Sequence, residues 1–257
     1  MSTAEQVKED YNKSAQSYND ASVLPAVLLE SQLIKLAIGD ATDLVVLDIG
    51  GGSGIHAREA VEAGARRVDI VDLSTEMLKV AEGIERSLDR KGRMRFFEAD
   101  VAKPMDHLPL DAEYDIVMAN WVFDHAGDVD TLKAMWANIS KYLKPGGRFL
   151  GIRMADLFGP AASSDKYGIS LKNVQPIPDG FAYTCLVHAA PAWEFDGKTV
   201  EMSYSGSLEM HENSGLTDIK VIPYEDTEAV KSDPGYWELW LQRLIFAVVR
   251  GTKRTVE

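Results

Sequence analysis

A cluster of four glycines directly follows an apolar run and an aspartate in the segment VVLDIGGGSGIHAREAV, residues 45–61. Gly50, Gly51, Gly52 and Gly54 occupy four of five successive positions. Glycine allows positive φ angles and lets the backbone approach another group without a Cβ clash. A buried strand that ends in such a loop and continues as a helix is typical of an open parallel α/β sheet, which binds ligands at the carboxyl ends of its strands.

Short apolar runs alternate with longer amphipathic ones between residues 45 and 153. This alternation predicts a parallel sheet that is covered by helices on both faces. The predicted strands are 44–50, 67–73, 93–100, 114–120 and 148–154, and the predicted helices follow the glycine cluster and span 74–88 and 129–143. Ser74 is the expected N-cap of the second helix, and Lys144–Gly147 (KPGG) is expected to stop the third.

The flanking regions are predicted to form a single domain with this core. Residues 1–40 form a helical cap, 41–154 the core, 155–210 an inserted lid, and 211–257 the C-terminal part. The last part would contain strands at 217–225 and 244–253 around a helix near 226–242. In the lid, Asp196-Gly197 is predicted as the turn of a β-hairpin.

The composition excludes several classes of function. The chain has 257 residues, and 27 basic against 40 acidic side chains give a formal charge of −13, which argues against a nucleic-acid substrate. No apolar run approaches the roughly 20 residues of a membrane span. The single cysteine, Cys185, excludes an internal disulfide and favours the cytoplasm. The five histidines show no metal-ligand spacing, so no metal is predicted.

The glycine cluster leaves the ligand partly open. The dinucleotide fingerprint G-x-G-x-x-G fails when it starts at Gly50, because residue 55 is Ile55. Starting at Gly52 it meets Ala57, which the fingerprint tolerates, so a nicotinamide ligand stays possible. Asp72 ends the second strand 22 positions after Gly50 and could accept hydrogen bonds from the ribose of any adenosine ligand. Asp100, after the third strand, could face an adenine edge.

Five ordered motifs carry a family resemblance over residues 44–153: VLDIGGGSG, DIVDLS, FFEADVAKP, YDIVMANWVFDH and YLKPGGRFLG. Together they resemble the motif set of class I S-adenosylmethionine-dependent methyltransferases. YNKSAQSYN near the start is similar to the Y-D-x-x-A-x-x-Y-D segment of the small-molecule branch, with Asn12 and Asn19 where Asp is usual. The resemblance implies a Rossmann-like α/β fold. Its seven-stranded, mostly parallel sheet has an antiparallel last strand and helices on both faces.

The resemblance also implies that S-adenosyl-L-methionine is the cofactor and gives roles to matching residues. It places Asp48 and the glycines at the methionine end, Asp72 at the ribose, Leu73 against adenine, Asp100 with Val101 at the adenine amino group, and Asn120 near the sulfonium. The predicted cofactor-binding residues are Asp48, Gly50, Gly51, Gly52, Gly54, Asp72, Leu73, Met77, Asp100, Val101, Asn120 and Trp121.

Methyl transfer from a sulfonium requires that the acceptor is positioned, that water is excluded and that the cation is held. Because aromatic faces attract cations, Tyr11, Tyr18, Trp121 and Phe123 are candidates for this last task. His125 is the leading candidate for a general base, since it lies just after the fourth strand. The predicted catalytic residues are therefore His125, Tyr18 and Tyr11.

The lid suggests the kind of acceptor. Its aromatic residues favour an apolar or aromatic small molecule: Phe158, Tyr167, Phe181, Tyr183 and Trp193. The predicted function is methyl transfer to O, N or C of such a molecule, by a monomer or homodimer. Two alternatives remain: a non-methylating S-adenosylmethionine-binding protein or cyclase, and a nicotinamide-dependent oxidoreductase. The latter lacks the Tyr-x-x-x-Lys pair of the short-chain class and leaves LKPGG unexplained.

Overall fold

The computed structural model describes residues 4–90, 92–200 and 206–255, without the side chains of residues 16, 19 and 20. The side chain of Asn19 therefore lies outside the described part. The strands are β1 (Val45–Ile49), β2 (Arg67–Asp72), β3 (Met94–Glu98), β4 (Tyr114–Asn120), β5 (Leu143–Met154), β6 (Ile169–Ile177), β7 (Gly180–Val187), β8 (Trp193–Val200), β9 (Leu216–Val221) and β10 (Phe246–Lys253). The helices are α1 (Ala4–Asp20), α2 (Pro25–Ile38), α3 (Ile55–Glu62), α4 (Thr75–Ser87), α5 (Val129–Tyr142), α6 (Glu209–Asn213), α7 (Glu228–Ser232) and α8 (Glu238–Gln242).

The main sheet has seven strands in the order β3-β2-β1-β4-β5-β10-β9. Strands β1 to β5 pair in parallel, and β10 runs antiparallel to both of its neighbours. This confirms the predicted Rossmann-like sheet with an antiparallel last strand. The strand order reverses between β1 and β4, and an open sheet binds its ligand in the crevice at such a reversal.

Both faces of the sheet are covered because its central strands are apolar on both sides. All five residues of β1 are buried. Val46 packs in one cluster with residues of α2 and α3, such as Ile34 and Ala60. Its neighbour Leu47 belongs to the opposite cluster with Trp136 of α5. Since successive side chains of a strand point to opposite faces, a strand that is buried along its whole length requires a covering layer on each face.

A second, three-stranded antiparallel sheet, β6-β7-β8, forms the inserted segment. The predicted turn at Asp196-Gly197 is wrong, because both residues lie within β8, and the connection between β7 and β8 spans 188–192. Gly197 pairs with Tyr183, and a Cβ there would lie 2.5 Å from the ring carbon Cζ of Tyr183. The glycine therefore makes room for an aromatic ring across the strand.

Two other boundaries differ from the sequence prediction. The single helix expected near 226–242 is replaced by the short helices α7 and α8, which Asp233-Pro234-Gly235 separates. Helix α5 ends at Tyr142, and the KPGG segment belongs to β5, where the register with β4 shifts. Among the described residues, no helix has both the length and the apolar character needed to cross a bilayer.

Candidate active site

A cavity of about 590 Å³ opens at the carboxyl ends of β1, β2 and β4, between α1, α2 and the three-stranded sheet. Its size is within the roughly 300–1,000 Å³ that small-molecule sites occupy. The predicted site residues that line it are Tyr11, Tyr18, Asp48, Gly50, Gly51, Gly52, Asp72, Leu73, Met77, Asp100, Val101, Asn120, Trp121 and His125. Segments more than 100 residues apart in the chain thus meet in one enclosure.

The glycine loop has the backbone that only glycine adopts easily. Gly50, Gly52 and Gly54 have φ angles of 71°, 53° and 77°. A Cβ on Gly50 would lie 2.8 Å from Val122, whereas one on Gly52 would meet nothing within 4 Å, because Gly52 faces the open cavity. Gly54 is the exception among the predicted residues. It is the N-cap of α3, packed against Arg58 and Ile70 outside the cavity lining, so it shapes the loop without facing the cavity.

Asp48 lies beneath this loop with 1% of its surface exposed. Neither of its carboxylate oxygens has a hydrogen-bond partner among the described residues. Burial raises the pKa of Asp48 to about 7, although nearby His56 opposes the shift. A buried carboxylate without a partner is costly, so this site suits a ligand that brings a positive charge or a donor.

Asp72, at the end of β2, is held in place by the backbone. Its Oδ2 accepts a hydrogen bond from the Gly52 N–H at 2.8 Å, and its Oδ1 accepts one from the Ser74 N–H at 2.8 Å. Burial raises the pKa of Asp72 despite these bonds, which act in the opposite direction. Because each carboxylate oxygen can accept more than one hydrogen bond, the group remains able to receive the hydroxyls of a ligand.

Two further polar side chains face the cavity from the carboxyl ends of β3 and β4. Asp100 accepts a hydrogen bond from the Ala102 N–H at 3.0 Å and pairs with Lys103 at 3.2 Å. Asn120 is 6% exposed, and neither atom of its amide has a partner among the described residues. An unpaired buried amide offers both a donor and an acceptor to a bound molecule.

Tyr11 and His125 meet at the end of the cavity that faces the three-stranded sheet. The Tyr11 hydroxyl lies 2.9 Å from Nε2 of His125, and the two rings are nearly perpendicular. Burial, assisted by the charge of Lys198, lowers the pKa of His125 to about 4. The imidazole is therefore neutral near pH 7 and has one lone pair, as a general base requires.

Not every predicted aromatic residue reaches this cavity. Tyr18 packs near Trp193, with ring centroids 5.8 Å apart, and both line it, as does Tyr183. Phe123 is instead stacked on Trp136 at 4.9 Å, in the apolar cluster on the far face of the sheet. The other lid aromatics form separate packing contacts: Phe158 with Phe181, and Tyr167 with Trp237. Their apolar surface is used for packing and does not contribute to the cavity lining.

Sequence reasoning missed a buried ionic network beside Trp121. Trp121 has a φ of 62°, which is rare for a bulky side chain, and its Nε1–H donates to Glu30 at 2.9 Å. Glu30 also contacts His56 at 3.0 Å, and His56 contacts Glu59 at 2.8 Å. Burial alone would lower the pKa of His56, but these two carboxylates raise it to about 10. The available signal was a glutamate inside the apolar helix sequence VLLESQL.

Helix α1 is attached to the core through the segment that contains the two tyrosines. Oδ1 of Asn12 accepts hydrogen bonds from the Ser74 hydroxyl at 2.7 Å and from the Glu76 N–H at 3.3 Å. Lys8 forms an ion pair with Glu98. Asn12 accepts both hydrogen bonds through its side-chain oxygen, and the carboxylate of an aspartate at this position could accept them as well. Among the described residues, no group of three or more His, Cys, Asp or Glu could hold a metal ion.

Comparisons with known proteins agree with this architecture. Residues 46–147 match the family described as a methyltransferase domain. Over 159 residues, the chain is 30% identical to a malonyl-[acyl-carrier protein] O-methyltransferase of Halalkalibacterium halodurans, covering 60% of this chain and 55% of that protein. The chain thus spans about half the length of this curated relative.

Two solved structures share the fold over nearly the whole chain. The DhpI-SAM-HEP complex is similar with a TM-score of 0.61 and 18% identity, covering 98% of this chain and 99% of that one. The [4+2]-cyclase SpnF is similar with a TM-score of 0.63 and 14% identity, covering 99% and 98%. At such identities, likeness establishes the fold and leaves the reaction to be argued from the site.

Proposed function

We propose that the chain is a class I S-adenosylmethionine-dependent methyltransferase that transfers a methyl group from S-adenosyl-L-methionine to O, N or C of a small organic molecule, which the match of residues 46–147 to a methyltransferase-domain family supports. The observation that carries the proposal is the set of unpaired polar groups around the glycine loop. Asp48 and Asn120 are buried, lack partners among the described residues, and line the same cavity as Asp72. These groups fit a ligand that has ammonium, ribose and sulfonium groups.

The chain's own residues would hold this cofactor. The open face of Gly52 would leave room for the ligand at the loop, Asp72, held by two backbone N–H groups, would accept ribose hydroxyls, and Asp100 would offer an oxygen. When bound, the cofactor supplies an electrophilic methyl carbon on a positively charged sulfur. A buried site with several carboxyl groups and aromatic faces suits such a cation.

Positioning and water exclusion are the catalytic tasks left to the protein. Tyr11, Tyr18 and Trp193 close the cavity from α1 and the three-stranded sheet. His125 is neutral near pH 7, so it can take a proton from a hydroxyl acceptor while Tyr11 fixes its ring. These aromatic walls support an apolar or aromatic acceptor of small size. The lone Cys185 favours a cytoplasmic location as part of the same proposal.

Calorimetry with S-adenosyl-L-methionine tests the proposal first, and absence of binding would refute it. Asp72→Ala should weaken this binding roughly tenfold or more, because hydrogen bonds to charged groups contribute roughly 1.5–3 kcal/mol each. Asp165→Ala, an exposed aspartate outside the cavity lining, is the matched control and should bind normally. Formation of S-adenosylhomocysteine with an acceptor then separates a transferase from a non-methylating protein that only binds the cofactor.

A further inference from the structure

Asp124 is a further buried carboxyl group in the cavity, distinct from those at the glycine loop and from Glu30. It follows β4 in a short 3-10 turn, is 3% exposed and lines the cavity. Neither of its oxygens has a hydrogen-bond partner within residues 4–90, 92–200 and 206–255. The Thr199 hydroxyl and the Met154 N–H are near enough to influence its charge but lie outside hydrogen-bonding geometry.

Asp124 lies at the end of the cavity that faces the three-stranded sheet, which is called the acceptor end below. Its charge is felt by Tyr11 of α1 and by Tyr183 and Cys185 of β7, and all three line the cavity. Asp48, by contrast, is influenced by His56, Asp72 and Glu59. Asp72 acts on both Asp48 and Tyr11, but Asp48 and Asp124 do not act on each other. Other charged groups facing this end are Glu30 of α2, which acts on Cys185, and Lys198 of β8, which acts on the adjacent His125.

Burial without a partner makes the charged form of Asp124 costly, and it raises the pKa of this carboxyl group to about 8. Such a group is stabilised by a cation that arrives with a ligand. Two of the groups that sense its charge are aromatic, Tyr11 and Tyr183. The centroid of the Tyr11 ring lies 6.2 Å from that of Tyr18 and 6.3 Å from that of Phe195, so further aromatic rings adjoin the acceptor end of the cavity. Aromatic faces together with one carboxylate form a site that favours an organic ammonium group over a neutral or anionic one.

We propose that the methyl acceptor is an amine, and that Asp124 binds its nitrogen among the aromatic side chains of α1, β7 and β8. This inference rests on the proposed function and makes it more specific. It gives Asp124 the role that His125 would have with a hydroxyl acceptor. The Nε2 atom of His125 is already engaged with Tyr11, whereas both oxygens of Asp124 are free to accept within the described part of the chain.

The proton and electron balance of this step is simple. The ammonium form of the amine gives one proton to the Asp124 carboxylate, which leaves a lone pair on nitrogen. That pair forms the new N–C bond to the methyl carbon, while the electron pair of the breaking C–S bond remains on sulfur. The product leaves as a methylammonium ion, and Asp124 then releases its proton to solvent.

Three isosteric probes test the preference in protein saturated with S-adenosylhomocysteine. We expect 2-phenylethylamine to bind roughly 10- to 100-fold more tightly than 2-phenylethanol, since a hydrogen bond to a charged group contributes that much. The anion 3-phenylpropionate should bind more weakly still. Asp124→Asn should remove the preference for the amine. Asp130→Asn, an exposed residue in the first turn of α5, removes the same charge and should keep the preference.

Proton release gives an independent measurement. Calorimetry in two buffers of different ionisation enthalpy should show that the amine displaces protons from wild-type protein near pH 7, and that Asp124→Asn displaces fewer. If Asp124→Asn fails to bind S-adenosylhomocysteine, the variant is not correctly folded. The test then rests on two measurements of wild-type protein, its preference for the amine over the alcohol and the proton release on amine binding.

The contradicting outcomes are separate from failure of the proposed function. If wild-type protein does not bind S-adenosylhomocysteine, the proposed function fails. If it does bind but amine and alcohol bind equally, or neither binds, only the amine assignment is overturned. A variant Asp124→Asn that weakens S-adenosylmethionine but not S-adenosylhomocysteine would show that Asp124 serves the sulfonium, which also overturns it.

Discussion

The hydroxyl of Tyr11 lies 2.9 Å from Nε2 of His125, although 114 positions separate the two residues in the chain. One belongs to the first helix and the other to the turn after β4. The ring edge of one faces the ring of the other, with centroids 5.3 Å apart at 84°. The contact makes α1 part of the cavity wall and fixes the orientation of the His125 ring.

Tyr11→Phe should destabilise the fold by roughly 1–3 kcal/mol, because it leaves a buried ring nitrogen of His125 without its partner. Urea unfolding followed by circular dichroism measures this loss. The control is Tyr236→Phe, which removes a hydrogen bond to the Lys166 carbonyl at an exposed position and should cost less. Equal losses in the two variants would contradict a structural role for the contact between Tyr11 and His125.

The sequence patterns identify those residues whose role depends on close neighbours in the chain. The glycine loop and Asp72 were predicted because strand, turn and acidic strand end lie close together in the sequence. Asp196-Gly197 was wrongly predicted as a turn because the reason for Gly197 is the ring of Tyr183, on another strand. Glu30 and Asp124 were not identified as site residues, since burial of a carboxyl group depends on segments distant in the chain.

The network of Glu30 gives a second prediction. Glu30→Gln should lower the free energy of unfolding by roughly 3 kcal/mol at pH 7, because removing one partner leaves the buried charge of His56 less compensated. The matched control is Glu228→Gln, an exposed pair with Lys231, which should change stability by about 0.5 kcal/mol or less.

The same network predicts a pH dependence of stability. The folded-state pKa of His56, about 10, is raised above its ordinary value of 6.5. The stabilisation from this proton is therefore fully present below pH 6.5 and is lost as the pH rises through about 10. His56→Gln should flatten the stability profile between pH 6.5 and 10 in urea unfolding. The assigned charge of His56 would be contradicted if the stability of the wild-type protein did not decline between pH 6.5 and 10, or if His56→Gln declined equally.

Gly50 and Gly215 have similar backbone conformations, so their alanine variants distinguish backbone strain from a steric clash of the new Cβ atom. Gly50→Ala introduces a Cβ 2.8 Å from Val122 at a φ of 71°, whereas Gly215→Ala meets nothing within 4 Å at a φ of 80°. The second variant should lose roughly 1 kcal/mol from backbone strain alone. The first should lose more and should also bind S-adenosylhomocysteine more weakly, since its loop must move. Thermal unfolding and calorimetry provide both readouts, and equal behaviour of the variants would contradict the tight packing of the loop.

The unpaired carboxyl group of Asp48 predicts how cofactor binding depends on pH. Burial raises the folded-state pKa of Asp48 to about 7. Because its carboxyl group ionises at lower pH in the unfolded chain, the free energy of unfolding falls as the pH rises from about 4 to 7. A cationic ligand reverses this penalty by favouring the ionised form. We therefore expect the affinity for S-adenosyl-L-methionine to rise from pH 6 and to level off above about pH 7. Asp48→Asn should bind more weakly at pH 8 and show a flatter profile.

Calorimetric titrations at intervals of half a pH unit between 6 and 8.5 measure this profile. The same titrations on Asp124→Asn remove the contribution of Asp124, whose pKa burial raises to about 8, from the measured profile. S-adenosylhomocysteine keeps the ammonium group but lacks the sulfonium charge, so it is the matched ligand: an equal gain in affinity assigns the effect to the ammonium group, and a smaller gain assigns it to the sulfonium. A wild-type affinity that stays constant between pH 6 and 8 would show that Asp48 does not carry the compensating charge for the cofactor.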